Sequence, residues 1–458
     1  MLQVWKPRPP TNCPQRGVPI KVVYVISLLP NRRNRTPPRG RVLYLSQWFP
    51  PENGTVGLQV AQGLAERGFE VEVLTGFPNY PSGKLSPNYR LAHYMHEVMD
   101  GIPVHRVYLH PSHDQSSLGR ALNYLSFFVS ALIFCLFNAR RFDVIYVYHP
   151  PITVGLAAAL SGFITRRPFI LEVQDLWPDS VAASGMGGTS FLARLLGPVC
   201  HFVYRRAAAV LGQSHGMTRV LVERGVAEHK SGTIFNWANE SAARANGTYD
   251  VASLNFEGRF NFVYGGNLGA VQGLESLIHA AHKLSNVAPE IQLTIVGDGT
   301  ERERLLALVE HLAARNVQIL PAVPQSQIGD ILAAADVLVI HLKDDPLFEI
   351  TIPSKLQFYL AMGRPVLAGV RGEAGRIVVD AGAGIMAEPE NVPAFVDAFL
   401  RFASKPQAEL DAMAARARSL YDERFSFERS LSGIEAAIQS TLPSRKRTPH
   451  SSQDAMNA

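Results

Sequence analysis

Residues 260–273 read Phe-Asn-Phe-Val-Tyr-Gly-Gly-Asn-Leu-Gly-Ala-Val-Gln-Gly. An apolar run that halts at paired glycines is a buried strand entering a tight loop. A helix is expected from Gly273 to Leu284, and Ile291-Gln-Leu-Thr-Ile-Val-Gly reads as the next strand. Strand, loop, helix and strand in that order form the repeating unit of a parallel sheet. Glycines in such a loop let main-chain N–H groups approach an anion, and the helix N-terminus beyond adds favourable partial charge. A diphosphate suits that loop, although a glycine after a strand is just as often a simple tight turn.

The rhythm extends in both directions. Downstream come a helix over Glu301 to Ala314, strand Val317-Gln-Ile-Leu and a helix over Ile328 to Ala334. Strand Val337-Leu-Val-Ile-His, a helix over Lys355 to Met362 and strand Pro365-Val-Leu-Ala follow. Upstream, Val42 to Gln47 is a short apolar run, and a helix from about Gly57 to Arg67 ends at Gly68, a good C-terminal cap. Val71-Glu-Val-Leu-Thr, Phe142 to Tyr148, Pro168 to Val173 and Ala209 to Ser214 complete the strands of this half, with an Ala-rich helix over Ile152 to Phe163. The fold class expected is α/β, with two Rossmann-like domains facing a cleft, over residues 41–245 and 255–425. The linker is placed near Ser241 to Gly258, where Ala, Asn and Gly accumulate. A C-terminal helix (426–442) and a disordered tail (443–458) follow. Ligands of such sheets bind outside the C-terminal ends of the strands, so the cleft is the expected site.

The chain has 458 residues, 47% hydrophobic and 18% charged, enough for two buried cores. Its formal charge of +5 is concentrated at the ends. Residues 1–41 hold nine Lys or Arg and no acid, and residues 444–458 hold three basic residues and one acidic. The body between is therefore negative, about −6, and no basic patch points to nucleic acid. The tails are expected to be solvated, or more weakly to touch anionic lipid. Three cysteines, Cys13, Cys135 and Cys200, form neither a metal spacing nor a disulfide framework, which suits a reducing cytoplasm. The basic extension 1–40 lacks the long apolar region and cleavage site of a secretory signal, and is read as a start placed too far upstream or as disorder. Ala121 to Phe137 is strongly apolar, between Arg120 and Arg140-Arg141. Inside an α/β alternation it is either a buried helix or one that dips an apolar face into a membrane interface.

Lys355, in Thr351-Ile-Pro-Ser-Lys, supports the phosphate reading of the glycine loop. A lysine at a helix N-terminus is unfavourable unless an anion lies nearby, although a solvated surface lysine is the plain alternative. His149, in Tyr148-His-Pro-Pro, and Asp175, in Gln174-Asp-Leu-Trp-Pro-Asp, end strands at the cleft edge. They could orient a sugar or accept a proton, or could be an ordinary loop histidine and helix-initiating aspartate. Asp298 reads as a helix cap. Asp344-Asp345 has no evident third ligand, so no metal is expected.

Several of these motifs together resemble family 4 of the retaining glycosyltransferases, whose members have the GT-B fold, and in particular its bacterial exopolysaccharide, colanic acid and O-antigen subgroup. The resemblance runs from about Arg41 to Phe425. Phe49-Pro-Pro-Glu-Asn-Gly resembles the family's first glycine loop and would put Gly54 near the donor. Asp143-Val-Ile-Tyr-Val-Tyr-His-Pro-Pro, Asp175-Leu-Trp-Pro-Asp-Ser, Ser214 and Phe235-Asn-Trp-Ala-Asn resemble the motifs that follow. Tyr264-Gly-Gly-Asn-Leu-Gly and Gln272-Gly stand where the family contacts donor phosphate. Pro353-Ser-Lys-Leu-Gln-Phe-Tyr-Leu-Ala-Met-Gly-Arg-Pro resembles its signature helix.

The chain also departs from the pattern. Many members carry two glutamates eight positions apart around that helix. Here Glu349 is matched by Gln357, or, aligned through Gly363 and Pro365, Ile350 by Phe358. Asn267 stands where many members have a basic residue, which shifts phosphate binding toward Lys355 and main-chain amides.

The resemblance implies transfer of a sugar, with retention, from a nucleotide-sugar donor to a polyprenyl-diphosphate-linked glycan, in cell-surface polysaccharide synthesis. It places the enzyme at the inner face of the cytoplasmic membrane, as a cytoplasmic or peripheral protein, with no cofactor or metal. It implies Asp175, His149 and Glu349 as catalytic candidates. For the donor it implies Gly54, Gly266, Asn267, Gly269, Gln272, Lys355 and Gln357. A nicotinamide oxidoreductase would need Gly-x-Gly-x-x-Gly after the first strand, which Trp48 to Gly54 does not supply. A sugar-nucleotide epimerase and a non-catalytic scaffold of the same fold are the nearer alternatives.

Overall fold

The computed structural model describes residues 38–52, 56–112, 117–179 and 189–442. Gly54 and the basic extension lie outside these residues. Strands β1 (Arg41–Ser46), β2 (Glu70–Gly76), β3 (Tyr94–Met99), β4 (Ile102–Val107), β5 (Val144–His149), β6 (Phe169–Val173), β7 (Ala209–Gly212) and β8 (Ser231–Thr233) form the first sheet. Their order is β3-β4-β2-β1-β5-β6-β7-β8, parallel throughout except for β3 against β4. Sequence periodicity passed over β3. Its side chains alternate between partly buried and exposed, as suits a half-solvated edge, and no apolar run marks it.

The second sheet contains β9 (Phe260–Gly265), β10 (Ile291–Val296), β11 (Val317–Leu320), β12 (Val337–His341), β13 (Val366–Gly369) and β14 (Gly384–Met386). It is wholly parallel, in the order β11-β10-β9-β12-β13-β14. In each sheet the chain order reverses at one strand, between β1 and β5 and between β9 and β12. Crevices open at such switch points. The first is bounded by the loop after β1 and by His149, the second by the loop after Gly265.

In the first domain, α2 (Ser117–Asn138), α3 (Ile152–Thr165) and α4 (Thr189–Arg206) cover one face of the sheet. The other face is covered by α1 (Val56–Glu66) and, unexpectedly for a chain terminus, by the last helix, Phe427–Thr441. Leu431, Ile434 and Ile438, spaced along one side of that helix, are buried with Val42 and Tyr44 of β1. Gly63 makes room for Leu431, and Arg67 pairs with Glu435 at 2.7 Å and with Glu428. The C-terminal helix is thus part of the first domain's packing, so the chain crosses between the domains twice. The intervening helices are α5 (His215–Glu223), α6 (Glu275–Leu284), α7 (Arg302–His311), α8 (Gln325–Ala333), α9 (Pro346–Glu349), α10 (Ser354–Met362), α11 (Gly372–Asp380), α12 (Val392–Ala403) and α13 (Gln407–Leu420), and Phe427–Thr441 is α14.

The domains also meet at the N-terminus of α5. Ser214 caps that helix, accepting from the Met217 N–H at 2.9 Å, and donates its hydroxyl to the Ile350 carbonyl of the second domain at 2.5 Å. The Glu373 carboxylate, on α11, accepts from the His215 and Gly216 N–H groups at 3.0 and 2.6 Å. One domain's carboxylate therefore satisfies the orphan donors, and the positive partial charge, at the other's helix end. Gly216 lies so close to Ile350 that a Cβ there would sit 2.9 Å from the Ile350 Cβ.

Within the first domain, Glu172 is almost fully buried on β6. It accepts from the Tyr146 hydroxyl at 2.5 Å and the Gln174 amide at 2.6 Å. Loss of hydration outweighs these bonds and pushes its carboxyl up to about 7. The folded state then holds this proton more tightly than the unfolded chain does. Glu172 thus contributes stability below an ordinary glutamate pKa that is lost as pH rises toward 7.

Two outcomes are expected. Glu172→Gln should flatten the fall in melting temperature between pH 5 and pH 8, and at pH 8 should be more stable than the parent by on the order of 1–3 kcal/mol; an unchanged pH profile would refute the assignment. Glu373→Ala should speed hydrogen exchange at the His215 and Gly216 amides about tenfold or more, because a charge-assisted bond contributes roughly 1.5–3 kcal/mol. Exchange at the parent rate would show that Glu373 does not hold the domains together there.

Candidate functional site

The loop after β9 is built by close main-chain approach. Gly266 has φ +141°, a conformation L side chains rarely adopt, and its N–H donates to the Val296 carbonyl at 2.9 Å. A Cβ at Gly266 would lie 2.5 Å from Cε of Lys355. The loop is closed by Gln272, whose side-chain oxygen accepts from the Gly269 N–H at 3.0 Å and the Asn267 amide at 3.2 Å. Tyr264 donates to the Asn267 carbonyl at 2.8 Å, and the buried Tyr359 hydroxyl accepts from the Gly265 N–H at 2.8 Å. The predicted donor residues Gly266, Asn267, Gly269, Gln272 and Lys355 thus come together, with Gln272 holding the loop's shape.

Lys355 is half buried, and its ammonium lies 5.0 Å from the centre of the Tyr264 ring. Among the described residues no carboxylate pairs with it. Burial lowers its pKa to about 8. It stands in the first turn of α10, a helix whose N-cap is Pro353, with no side-chain cap and no acid in the first turn. A cavity of about 310 Å³ opens here, lined by Trp237, Asn239, Gly266, Ser354, Lys355 and Phe358 among others. Lys355 is the only charged side chain among the residues lining it. Uncapped amides and a lone cation in a half-dry cavity favour an anion.

Other predicted residues lie elsewhere. Gln357 is buried and its side-chain amide turns back on the Pro353 and Ser354 carbonyls of its own helix, 2.7 and 3.1 Å away, the nitrogen being assigned to that side because two carbonyls need a donor. Phe358 lines the cavity in its stead. Glu349 ends α9 in an exposed position, its main chain pressed against Gly372. Asp345 caps α9 through the Leu347 N–H at 2.8 Å and Asp344 pairs with Arg371 at 3.1 Å. Asp298, read as a helix cap, instead accepts from the adjacent Gly299 N–H at 2.8 Å, and the N-cap of α7 is Glu301, without a side-chain cap.

At the first domain's switch point the structure gathers His149 and Asp175 with an aromatic group that sequence reading missed. Trp48 contacts Tyr80 at 5.2 Å and Tyr124 at 6.5 Å, Tyr124 contacts Trp177 at 6.2 Å, and Trp177 meets the His149 ring edge-on at 6.0 Å. His149 does not open to the cleft. It is fully buried, its ring nitrogens find no partner among the described residues, and burial lowers its pKa to about 3, so it is a neutral imidazole. Asp175 reaches solvent at the rim, yet its neighbours remove enough water to raise its carboxyl above the ordinary value. Arg120, Tyr80 and Asp175 lie close enough to act on the Tyr124 phenol, and the Arg120 Nε is buried without a partner. Trp48 and Tyr80 each follow a strand end, a signal the sequence did carry. Tyr124 was hidden in the apolar stretch of α2, and Arg120 stood out only as its flanking charge.

The loops carrying these rings are held from below. Glu52 accepts from the N–H groups of Phe49, Asn79 and Tyr80 at 3.1, 2.6 and 2.8 Å. Arg106, with no exposed surface, binds the Pro50 carbonyl at 2.5 Å, the Gly76 carbonyl at 3.0 Å and Glu97 at 2.5 Å.

Residues 54–237 match the family described as Glycosyl transferase 4-like domain, and residues 248–420 match Glycosyl transferases group 1. The chain is 28% identical over 351 residues to WcaI of Escherichia coli K12, named as a colanic acid biosynthesis glycosyl transferase, covering 74% of this chain and 85% of WcaI. It is 24% identical over 317 residues to the glycosyltransferase WbjE of Pseudomonas aeruginosa, covering 68% of this chain and 77% of WbjE. Its fold is similar to that of HepE from Anabaena in complex with UDP, with a TM-score of 0.64 at 17% identity over 87% of this chain and 100% of HepE. Sucrose-phosphate synthase from Thermosynechococcus elongatus gives a TM-score of 0.64 at 17% identity, over 88% of this chain and 99% of that one. With two switch-point crevices, a glycine loop under a lysine and both halves matched in order, the chain belongs to family 4 of the glycosyltransferases and has the GT-B fold, in a group related to bacterial polysaccharide enzymes.

Proposed function

We propose that this glycosyltransferase moves a sugar from a nucleoside-diphosphate donor to a lipid-linked glycan, with retention, in cell-surface polysaccharide synthesis at the inner face of the cytoplasmic membrane. The observation that carries the reading is the placement of Lys355, unpaired, on Gly266 at an uncapped helix N-terminus. The hard step of sugar transfer is departure of a diphosphate with growing negative charge. A cation and fixed amides in a half-dry cavity stabilise that charge more in the transition state than in the ground state. In this mechanism Lys355 and the 265–269 loop bind the departing diphosphate, and no step needs a metal ion. Crystallisation of HepE with UDP and with UDP-glucose supports a uridine nucleotide donor, and the name of WcaI supports a polysaccharide product.

Across the cleft, the half-buried Trp48, Tyr80 and Tyr124 rings, backed by the buried Trp177, offer apolar faces for an acceptor sugar, with Asp175 at the rim to orient or deprotonate its hydroxyl. His149 acts by holding Trp177 in place and not as a free base. A non-catalytic scaffold is favoured by one feature, the replacement of the family's glutamate pair by Ile350 and Phe358 or by a turned-away Gln357.

Turnover of a UDP-sugar donor decides between these. Lys355→Ala should lower kcat by about 10²–10³-fold, the usual effect of removing one oxyanion-stabilising donor. Near-normal rates would sink the role given to Lys355, and a parent enzyme that neither transfers nor hydrolyses any donor would leave the scaffold. An anomeric assignment of the product by NMR tests retention directly. Lys355 is cationic below about pH 8, so affinity for UDP should weaken as pH rises through that value. Binding near pH 8 should also take up a proton, detected as a buffer-dependent calorimetric enthalpy. Lys355→Met should abolish both effects.

A further inference from the structure

We infer that the exposed stripe of α2, together with the C-terminal ends of α3 and α4, seats the enzyme on an anionic phospholipid bilayer. Along α2 the residues Leu118, Leu122, Leu125, Val129, Ile133 and Phe137 are 44–83% exposed and recur every three or four positions. They form one apolar stripe about 28 Å long at the rise of an α-helix. The opposite side of the helix is committed to the fold. Phe127, Ala131 and Cys135 are buried against the sheet, and the buried Asn123 amide bonds Gln47 at 2.6 Å and the His110 carbonyl at 2.8 Å. The helix has the length and composition to cross a membrane, but extracting it would break this packing, so it lies along the surface.

Charge complementarity identifies the occupant. None of the three helices contains an Asp or Glu. Each is followed by, or ends in, a pair of arginines: Arg140-Arg141, Arg166-Arg167 and Arg205-Arg206. All three helices connect parallel strands on one face of the sheet, so their C-termini reach the same edge. One arginine per helix end is what the macrodipole favours, but doubled arginines with no acid on three adjacent helices exceed it. Arg141 is paired with Glu72, whereas Arg140, Arg166 and Arg205 have no ion-pair partner among the described residues. At this edge Phe137, Phe163 and Ile164 are 83%, 61% and 60% exposed, and the Arg206 guanidinium lies 4.2 Å from the Phe163 ring centre. Aromatic and aliphatic side chains among unpaired arginines match the interfacial zone of a bilayer with anionic headgroups. At its other end the α2 stripe reaches Arg120 and Tyr124, beside the aromatic group of the cleft. A bilayer on this face would lie next to the acceptor side of the site. The inference deepens the lipid-linked acceptor reading, but docking is measured without donor or acceptor, so either can fail alone.

The full chain is floated with vesicles of phosphatidylglycerol and phosphatidylethanolamine, and with vesicles of phosphatidylcholine alone. The expected result is binding to the anionic vesicles at least tenfold tighter than to the zwitterionic ones, and weakened by 0.5 M salt. Phe137→Ser/Phe163→Ser/Ile164→Ser, and separately Arg140→Gln/Arg205→Gln, should each lower binding about tenfold with melting temperature and UDP affinity unchanged. Equal binding by the parent and both variants would overturn the proposal. So would failure of the parent to bind anionic vesicles, or a dimer in light scattering that the serine variant abolishes, which would make the face a contact between copies of this chain.

Discussion

The donor half of the cleft depends on main chains that lie closer than any side chain permits. A Cβ on Gly297 would fall well inside contact with the Gly266 carbonyl oxygen, and one on Gly299 would lie 2.5 Å from the Leu268 carbonyl oxygen. The loops after β9 and β10 are therefore nested, tied by Gly266 N–H to Val296, Leu268 N–H to Asp298 and Glu301 N–H to Leu268, each at 2.9 Å. The nesting fixes where Gly266 exposes its bare α-carbon, and that bare surface is what Lys355 lies across. Electrostatics then follow from sterics. The lysine is held half-dry, packed on Gly266 on one side and facing the cavity on the other, and none of the other side chains lining that cavity is charged.

The other half of the cleft, the proposed acceptor side, uses the opposite strategy. Its loops are longer and carry large rings, and they are fixed by two buried charged side chains below them. Glu52 gathers three N–H groups from two loops, and Arg106 gathers two carbonyls and a carboxylate. A buried guanidinium left without its partners would carry a large desolvation cost, so these bonds set loop positions rather than merely accompany them. A rigid backbone cradle suits the invariant part of a donor, its diphosphate. Rings on tethered loops suit an acceptor whose sugar surfaces are mostly C–H.

The alternation of strand and helix, the glycine loop and the Lys355 helix were legible because each rests on local chemistry. Apolar runs, glycines and a lysine near a proline can be read within a dozen residues. What could not be read depends on partners distant in sequence. The last helix belongs to the first domain because Leu431, Ile434 and Ile438 find Val42 and Tyr44 almost four hundred residues earlier. His149 looked like a cleft residue because β5 ends there, and only the tertiary position of Trp177 shows that its ring is covered. Gln357 stood at the spacing of a family glutamate, but on the helix its amide is satisfied by its own first turn. The nature of α2 was left open between buried and interfacial. One side of it is buried against the sheet and the other carries exposed apolar residues, since residues three and four apart divide a helix into two sides and a linear apolar count merges them.

The two halves are coupled at one place with consequences for both. Ile350 accepts the Ser214 hydroxyl through its carbonyl and packs on Gly216 through its side chain. A glutamate there would put a charge against a glycine at the domain boundary. The isoleucine instead gives that boundary an apolar contact, while the carboxylate that meets the α5 N-terminus comes from Glu373 on the next helix. The negative charge of Glu373 is thus committed to joining the domains. In the proposed donor site the charge rests on Lys355, with no carboxylate paired to it among the described residues. A site arranged this way favours binding of the doubly charged leaving group over any neutral portion of the donor.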